Sequence, residues 1–391
     1  MLKIFAILIS IFSFANVWSA ENDVDKIHRV MESVAKKYAP DKRTALFNVS
    51  ILQKEAPLIL KGETNLPEAK KMLLDSLSSY QIAIVDSITV LPDLSVGEKQ
   101  WGIVTLSVAN IRTQPDHAAE LASQALMGTP VKVLKVTDGW RYIQTPDDYL
   151  GWVDENGIVL KTQQEMSTWR KSNRYLFNRI MGSILDAPKK NASPVSDLVL
   201  GDLFETLSEK KGYLQVAFPD GRTGFVKKKD CLSYEKWISQ KPDVKVVLAT
   251  ARQLLGTAYL WGGTSCKAVD CSGMIKTLWY AQSVILARDA SQQIRYGEKI
   301  DFKNMANLQP GDFLFFGRNV QRITHVGMYL GKGLYIHASG RVRINSIDPK
   351  DPAYNVTDKK DLVGAVRIIN FLGTEGIALV KDHPWYQQNV Q

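Results

Sequence analysis

The chain has 391 residues, a length that indicates two to four domains rather than a single core. With 45% hydrophobic and 23% charged residues, it has the composition of a soluble globular protein. The net charge of +9 is spread along the chain and concentrates only in the short stretch KKKD at 227–230. This excludes the basic stripe typical of nucleic-acid-binding proteins, so no nucleic-acid partner is expected.

The N-terminus has the layout of a secretory signal peptide. Lys3 precedes an apolar run over residues 4–17, and the small residues Ser19 and Ala20 follow it. The alternative, a transmembrane anchor, needs about 20 apolar residues to span a bilayer, more than this run provides. We therefore expect residues 1–20 to be removed and the mature protein to be exported, periplasmic or extracellular, and soluble, without stable membrane insertion.

The next 220 or so residues contain an internal repeat. Residues 21–98 mix helical patterns with one strand-like piece, TALFNVSILQ, and are expected to be mostly helical. Residues 99–160 and 183–240 consist of short strand patterns separated by Gly, Asp and Pro turns. Their sequences align, GTPVKVLKVTDGWRYIQTPDDYLGWV beside GDLFETLSEKKGYLQVAFPDGRTGFV, which favours two small β-barrels joined by a helical connector at 161–182. One larger β-sandwich is the alternative. The two copies resemble bacterial SH3-like domains, most clearly in VANIRTQP and YLGWV of the first.

Residues 241–371 change to a mixed helix and strand pattern, and residues 372–391 form a tail of unassigned structure. The chain has three cysteines, an odd number that leaves at least one thiol unpaired in an exported protein. Cys271 begins an apolar-periodic helix, CSGMIKTLWYAQSV, and the unpaired N–H groups and positive dipole end of such a helix favour a thiolate. Cys266 lies in the preceding loop without that field. The alternative for Cys271 is a packed, inert thiol.

Two of the five histidines fall in a predicted hairpin, ITHVGMYLG–K–GLYIHASG. A turn centred on Lys332 pairs Gly327 with His337. His325 and His337 then become diagonal neighbours on one face, ~7–8 Å apart at the backbone. This arrangement suits a general base and the group that orients it. A metal site is the competing interpretation, and it is poorly matched by two histidines and one thiol with no carboxylate pair nearby.

Residues 245–370 resemble the NlpC-type papain-like cysteine peptidases that cut peptidoglycan peptides. Six blocks in order carry the resemblance: YLWGG, DCSGM, ARDASQQ, LQPGDFLFF, THVGMYLG and IHASG. The resemblance implies a multidomain α+β chain with a papain-like α+β catalytic domain, and it implies neither a cofactor nor a metal. It also implies a triad of Cys271 as nucleophile, His325 as base and His337 as the residue that orients the base. Tyr259 matches a tyrosine placed near the nucleophile, where it would support the oxyanion.

The order of the domains resembles the γ-D-glutamyl-L-diamino-acid endopeptidases of murein-peptide turnover. In such enzymes the first SH3-like domain closes one end of the cleft, so the substrate needs a free N-terminal L-alanine. The resemblance therefore implies peptidoglycan-derived peptides as partners, with Asp270 or Glu120 binding the substrate ammonium group. The implied substrate-binding residues are Asp270, Ser272, Glu120, Tyr149, Arg288, Asp289 and Ser291.

Several alternatives stay open at this point. Glu120 has the alternative of a solvated loop charge, and Tyr149 that of packing within its barrel. For the whole chain, the first alternative is a hydrolase of intact cell wall that is anchored by its SH3-like domains. The second is a wall-binding protein with an inactive peptidase-like domain.

Overall fold

The computed structural model describes residues 23–53 and 57–387, and the predicted signal peptide at 1–20 lies outside them. The chain divides into two compact units, Met1–Gly97 and Glu98–Gln391. Over the described ranges, no helix combines the length and the apolar character needed to cross a bilayer.

The first unit packs two helices against a small sheet. Its elements are α1 (23–38), β1 (Phe47–Gln53), β2 (Leu58–Thr64), α2 (Pro67–Ser79) and β3 (Ile84–Val90). Strand β2 is central, antiparallel to β1 and parallel to β3, and α2 makes the crossover between the parallel strands. The core contains Ile27, Val34, Leu58, Leu60, Ala69, Leu73, Leu77, Ile82 and Ile88.

This unit contains three strands where the sequence indicated one strand-like piece within a mostly helical region. Helix α2 ends at Ser79, and Gln81 then takes a positive φ of 58°. The apolar run QIAI that follows the helix leads into β3. Periodicity alone cannot distinguish a short apolar strand from the end of a helix. Here the residues form a strand because they pair with β2.

The second unit begins with a seven-stranded antiparallel sheet. Its strands are β4 (Trp101–Val104), β5 (Val108–Arg112), β6 (Leu121–Leu126), β7 (Pro130–Thr137), β8 (Trp140–Gln144), β9 (Leu150–Asp154) and β10 (Ile158–Lys161). They pair in the order β10-β4-β7-β8-β9-β5-β6. We call this the first sheet.

A second seven-stranded sheet follows helix α3 (Gln163–Lys171). Its strands are β11 (Arg174–Phe177), β12 (Met181–Leu185), β13 (Pro194–Val199), β14 (Leu203–Lys210), β15 (Tyr213–Ala217), β16 (Thr223–Lys227) and β17 (Cys231–Ser233), and helix α4 (Tyr234–Ser239) comes next. The order is β17-β11-β14-β15-β16-β12-β13. We call this the second sheet.

The two sheets match strand by strand, which confirms the internal repeat. Strand β7 begins at Pro130 and β14 at Leu203, 73 positions later, and the same offset separates β8 from β15 and β9 from β16. Both have the same strand order, and their end strands are not paired with each other within the described residues. They are therefore two copies of one open sheet and not closed barrels.

The connector predicted as a helix over 161–182 is shorter. Helix α3 opens with a capping box between Thr162 and Glu165 and ends before Ser172, whose backbone is extended. The following residues form β11, which pairs with β14 and β17, and the second sheet therefore starts at Arg174 rather than near residue 183. The run RYLFNRIMGSIL has apolar residues at both helical and strand spacing. The strands that pair with it determine that it forms strands and not a helix.

The remaining part of the unit is a mixed helix and strand domain. Its helices are α5 (Val244–Gln253), α6 (Cys271–Tyr280), α7 (Ala290–Gln293) and α8 (Val356–Asp361). Its strands are β18 (Thr264–Ser265), β19 (Ala268–Val269), β20 (Val284–Leu286), β21 (Glu298–Lys299), β22 (Phe313–Asn319), β23 (Arg322–Gly331), β24 (Leu334–Ser339), β25 (Arg341–Ser346), β26 (Leu362–Arg367) and β27 (Ile377–Leu379). Six of them form an antiparallel sheet in the order β21-β26-β22-β23-β24-β25.

Helix α6 is packed into the core of this domain. Its side chains Met274, Ile275, Leu278 and Trp279 are at most 1% exposed and share one apolar cluster with β23 and β24. A helix buried on this many sides has little freedom to shift, because interiors are close-packed. The first residue of α6 is Cys271, so the packing holds that thiol in a defined place.

Candidate active site

The turn before α6 is built around Asp270 and Gly273. Asp270 is the N-cap residue, and its carboxylate accepts a hydrogen bond of 2.6 Å from the Gly273 N–H. A side chain at position 273 would place its Cβ 2.0 Å from the Gly263 carbonyl oxygen. Glycine is therefore required there, because the loop that carries YLWGG lies directly against the helix start.

The two histidines predicted to meet on one face do so. Strands β23 and β24 pair Met328 with Ile336, which is the register expected from a turn centred on Lys332. His325 Nε2 and His337 Nδ1 are 2.7 Å apart. Gly327 makes room for this pair, because a Cβ there would lie 3.2 Å from the His337 Cβ and 2.9 Å from the Tyr335 ring.

The candidate nucleophile lies beside this pair. Cys271 is buried, with 7% of its surface exposed, and its thiol is within hydrogen-bonding reach of the backbone N–H of Val326, the residue after His325. The other two cysteines are also free thiols, so no disulfide joins Cys231 and Cys266. Over the described ranges, no group of three His, Cys, Asp or Glu side chains is placed to hold a metal ion.

Burial opposes the thiolate that the helix position favours. It raises the pKa of Cys271 to about 11, the neighbouring Asp270 charge adds to the effect, and the N–H groups of Val326 and Ser272 act in the other direction. The helix N-terminus by itself favours a thiolate. In the folded chain, desolvation is the larger effect, and the thiol is neutral at pH 7.

The histidines are neutral for the same reason. Burial lowers the pKa of His325 to about 4, the Asp358 carboxylate acts against this shift, and the Arg343 guanidinium adds to it. Burial also lowers the pKa of His337, and its neighbour His325 adds to that shift. The resting site is therefore a thiol beside two uncharged imidazoles.

A polar network that the sequence did not indicate lies behind the histidine pair. The Tyr335 ring packs against the His337 ring with a centroid distance of 4.9 Å, and the Tyr335 hydroxyl donates a hydrogen bond to Asp358. Asn345 Nδ2 donates to the same carboxylate oxygen over 3.2 Å. Arg343 lies directly across from His337 on β25. These residues surround the site with one carboxylate, from helix α8, and one guanidinium, from strand β25.

Asp270 occupies a structural position that its predicted role does not suit. Its carboxylate accepts hydrogen bonds from the Gly262 N–H (3.0 Å) as well as from Gly273, and it forms an ion pair of 2.5 Å with Arg288. Arg288 is 1% exposed and also donates to Ser272 Oγ over 3.1 Å. A buried carboxylate with these partners is already satisfied, so the structure disfavours Asp270 as the partner of a substrate amine.

The two predicted residues of the first sheet both reach the catalytic domain. Glu120 is exposed, and its carboxylate accepts a 2.6 Å hydrogen bond from the indole N–H of Trp261. Tyr149 is buried, and its hydroxyl donates to the Asp289 carboxylate over 3.1 Å. The hydrogen bond of Glu120 is not what a solvated loop charge would make. The hydrogen bond of Tyr149 is not what packing within one sheet would give. Trp261, which is 63% exposed, was not predicted, although it stands in the block YLWGG.

The other predicted residues lie around the same turn. Ser272 is buried next to the candidate nucleophile, and Ser291 is half-buried in the short helix α7. Tyr259 is bridged to Val269, just before the N-cap. Burial raises the pKa of Tyr259 to about 12, with the nearby Cys271 and Asp270 adding to the shift, so its hydroxyl stays protonated and able to donate.

Two sequence profiles match the chain. Residues 256–360 match the NlpC/P60 family, and residues 111–158 match the bacterial dipeptidyl-peptidase Sh3 domain. Dipeptidyl-peptidase 6 of Lysinibacillus sphaericus is 29% identical over 287 residues, which are 69% of this chain and 98% of that protein. The γ-D-glutamyl-L-lysine dipeptidyl-peptidase of Bacillus subtilis (strain 168) is 29% identical over 247 residues, which are 62% of this chain and 76% of that protein.

Solved structures share the fold. A crystal structure of an NlpC/P60 family protein from Bacillus cereus ATCC 10987 is 22% identical and superposes with a TM-score of 0.60, covering 69% of this chain and 99% of that one. An NlpC/P60 endopeptidase from Photobacterium damselae subsp. piscicida is 18% identical with a TM-score of 0.54, covering 70% of this chain and 72% of that one.

Proposed function

We propose a specific bond as the target of this chain, whose residues 256–360 match the NlpC/P60 family and whose residues 111–158 match the bacterial dipeptidyl-peptidase Sh3 domain. This bond is the γ-D-glutamyl–L-diamino-acid amide of peptidoglycan stem peptides with a free N-terminal L-alanine. The diamino acid is lysine in the names of two relatives. The proposal includes export, for which the predicted signal peptide is the support.

The proposed chemistry follows from the neutral thiol and imidazole. In the proposed tautomer, His325 Nε2–H donates to His337 Nδ1, 2.7 Å away, which leaves His325 Nδ1 as the base that takes the Cys271 proton. The thiolate formed in this way attacks the γ-carbonyl carbon of the D-glutamyl residue, and a tetrahedral oxyanion results. Backbone N–H groups at the start of α6 and the Tyr259 hydroxyl are the donors proposed to hold it.

The second half of the reaction uses the same base. His325, now an imidazolium, returns its proton to the leaving amine of the diamino acid, and the carbon–nitrogen bond breaks. The acyl-enzyme joins Cys271 to the dipeptide through a thioester. Water, activated by His325, then releases L-Ala-γ-D-Glu and restores the thiol.

The observation that carries the proposed specificity is the pair of contacts made by the first sheet. Glu120 meets Trp261, and Tyr149 meets Asp289, so side chains of the sheet stand beside the catalytic turn. A carboxylate at this position can bind one ammonium group. In this proposal, the first sheet closes the cleft at this position and leaves room for only a short N-terminal segment of the substrate. We therefore assign the substrate amine to Glu120 rather than to Asp270.

The test is mass spectrometry of the products from L-Ala-γ-D-Glu-L-Lys, from its N-acetylated form and from intact sacculi. The full-length protein should release L-Ala-γ-D-Glu from the free peptide and should leave the blocked peptide and the sacculi nearly untouched. Cys271→Ala should lose roughly 10³-fold or more of the rate. Cys266→Ala, at a buried thiol between β18 and β19, is the matched control and should retain activity.

Each part of the proposal can fail by itself. Product release by Cys271→Ala at the wild-type rate would disprove the nucleophile. No product release by either protein would support a wall-binding protein with an inactive domain. Equal cleavage of free and blocked peptides would disprove the recognition of the N-terminus. Efficient digestion of sacculi would favour the alternative of a wall hydrolase.

A further inference from the structure

The loop that carries Tyr149 is a tight turn between β8 and β9. The Thr145 N–H donates to the Tyr149 carbonyl oxygen over 2.9 Å, and the Asp148 N–H donates to the Thr145 carbonyl oxygen over 2.9 Å. Asp148 has a positive φ of 63°. Because these two hydrogen bonds close the loop, a contact that fixes the tip of the loop also fixes the position of the Tyr149 hydroxyl.

The tip of this loop is held by the C-terminal segment. His383 Nδ1 accepts a hydrogen bond from the Trp385 N–H over 3.2 Å, so the ring proton of the neutral imidazole is on Nε2. His383 Nε2 then donates to the Pro146 carbonyl oxygen over 3.0 Å. Burial lowers the pKa of His383, which keeps this neutral tautomer at physiological pH.

The C-terminal segment is itself anchored by buried hydrogen bonds. Arg170 Nε donates to the Trp385 carbonyl oxygen over 3.0 Å, and the Tyr234 hydroxyl donates to the Tyr386 carbonyl oxygen over 2.9 Å. The Tyr386 side chain is fully buried, with its hydroxyl 3.2 Å from that of Tyr280 at the end of α6. Strand β27 pairs with β20 in the same domain. Moving this segment would leave several buried polar groups without partners.

Helix α6 holds the same loop from the other side. Lys276 Nζ lies 3.2 Å from Asp147 Oδ1, and this carboxylate is only 3% exposed. Loop, helix and C-terminal segment meet around a cavity of about 40 Å³, which Asp147, Lys276 and Tyr386 help to line. Lys276 stands on the same helix as Cys271, so the loop is tied to the element that carries the candidate nucleophile.

We propose that residues 377–386 are a positioning clamp for the end of the cleft that receives the substrate N-terminus. His383 fixes loop 145–149 against α6. This keeps the Tyr149 hydroxyl hydrogen-bonded to Asp289, and it closes the cleft to substrates with more than two residues before the cleaved bond. The proposal rests on the proposed function and adds to it the element that sets the substrate length. His383 touches neither substrate nor reacting atoms, so it is a positioning residue.

The expected effect is on binding and selectivity rather than on the chemical step. Without the bond to Pro146, the loop can move away from Asp289, and free-amine peptides bind less tightly. KM for L-Ala-γ-D-Glu-L-Lys should rise roughly 3- to 10-fold, the equivalent of one neutral hydrogen bond, while kcat changes little. The preference for the free over the N-acetylated peptide should fall by a similar factor.

The test compares two full-length variants. His383→Phe keeps an aromatic ring beside Trp385 and Tyr386 but cannot donate, whereas His383→Gln keeps a donor at the position of Nε2. We expect the kinetic change in His383→Phe and its rescue in His383→Gln. Hydrogen exchange of the amides of residues 145–149 should accelerate in His383→Phe and stay slow in His383→Gln.

The outcomes separate this proposal from the one on which it rests. If the wild-type protein cleaves no peptide, the proposed function fails. If the wild-type protein prefers the free amine while both variants match it in KM, in preference and in hydrogen exchange, the clamp is disproved. An equal loss of kcat in both variants, with KM unchanged, would also overturn it, because the clamp requires a change in binding that a donor restores.

Discussion

The two seven-stranded sheets have the same topology, but only one of them contributes the residues assigned to the substrate. The loop 145–149 of the first sheet corresponds, with the offset of 73 positions shared by the strands, to 218–222 of the second. In the second sheet, Arg222 pairs with Asp220 of its own turn at 2.7 Å and packs over the Phe218 ring at 4.4 Å. In the first, the loop bonds instead to Asp289, α6 and the C-terminal segment.

This difference shows that a repeated fold does not carry a repeated role. Both loops contain the pair Pro-Asp, and both join two paired strands. The second loop satisfies its charges locally, which is what an exposed turn needs. The first has a tyrosine where the second has an arginine, and it satisfies its polar groups on other parts of the chain. Function follows from the place of the loop, not from its fold.

The largest expected effect concerns the contact between the two sheets. Gly128 has a φ of +76°, and a Cβ there would lie 2.1 Å from the backbone oxygen of Leu203. Gly128→Ala should lower the free energy of unfolding by roughly 3 to 5 kcal/mol, because neither backbone can give way. Gly139, with a φ of +69° and no atom within 4 Å of its Cβ, is the matched control.

Gly139→Ala should cost about 1 to 2 kcal/mol, the strain of the left-handed backbone alone. Urea denaturation measures both values. Equal losses in the two variants would show that the close approach of the sheets does not constrain the chain, and the comparison of the sheets would lose its structural basis.

A smaller effect is expected on substrate binding. Tyr149→Phe removes the hydroxyl that donates to Asp289 and should raise KM for the free-amine peptide roughly tenfold, the size of a hydrogen bond to a charged group. Arg222→Ala, at the matching position of the second sheet, should leave KM and kcat as they are. Steady-state kinetics on both variants checks the comparison directly, and a similar loss in both would contradict it.

The smallest expected effect separates chemistry from substrate binding. His325 must be neutral to act as base, so kcat/KM should fall on the acid side near pH 4, where its lowered pKa lies. The Asp358 charge stabilises the imidazolium, so Asp358→Asn lowers this pKa further and moves the acid limb to lower pH. The Arg343 charge does the opposite, so Arg343→Gln moves the limb to higher pH.

Shifts of roughly half a pH unit or more are expected in each direction. Tyr149→Phe is the control, because the first sheet should affect binding and leave the acid limb in place. Shifts of the same sign in Asp358→Asn and Arg343→Gln would contradict this account. They would point to a general loosening of the site instead of the charges on its two sides.

The local parts of the site could be predicted from sequence. Alternating side chains and the GKG turn determine the register of the β23–β24 hairpin. This register places His325 and His337 next to each other on one face. Cys271 follows an N-cap aspartate at the start of an apolar-periodic helix, a pattern readable within a few residues. The repeat was readable because both copies keep the same spacing of turns.

The remaining parts depend on partners far away in the chain. The Asp270 carboxylate is satisfied by Arg288, 18 positions later, and nothing at position 270 indicates which charge it meets. The C-terminal segment showed no clear pattern, because its structure comes from β20 and from buried side chains elsewhere. The helical prediction near residue 175 was wrong because a short apolar run takes the structure of the strands that pair with it.

By itself, the sequence determined the order of the domains, the repeat, the candidate nucleophile and the histidine pair, since these rest on spacing within single elements. Only the tertiary structure decided the charge state of the thiol, the partner of Asp270 and the sheet whose loop reaches the cleft. Desolvation and ion pairing depend on all the residues that pack around an ionisable group. Those residues come from segments that are distant along the chain.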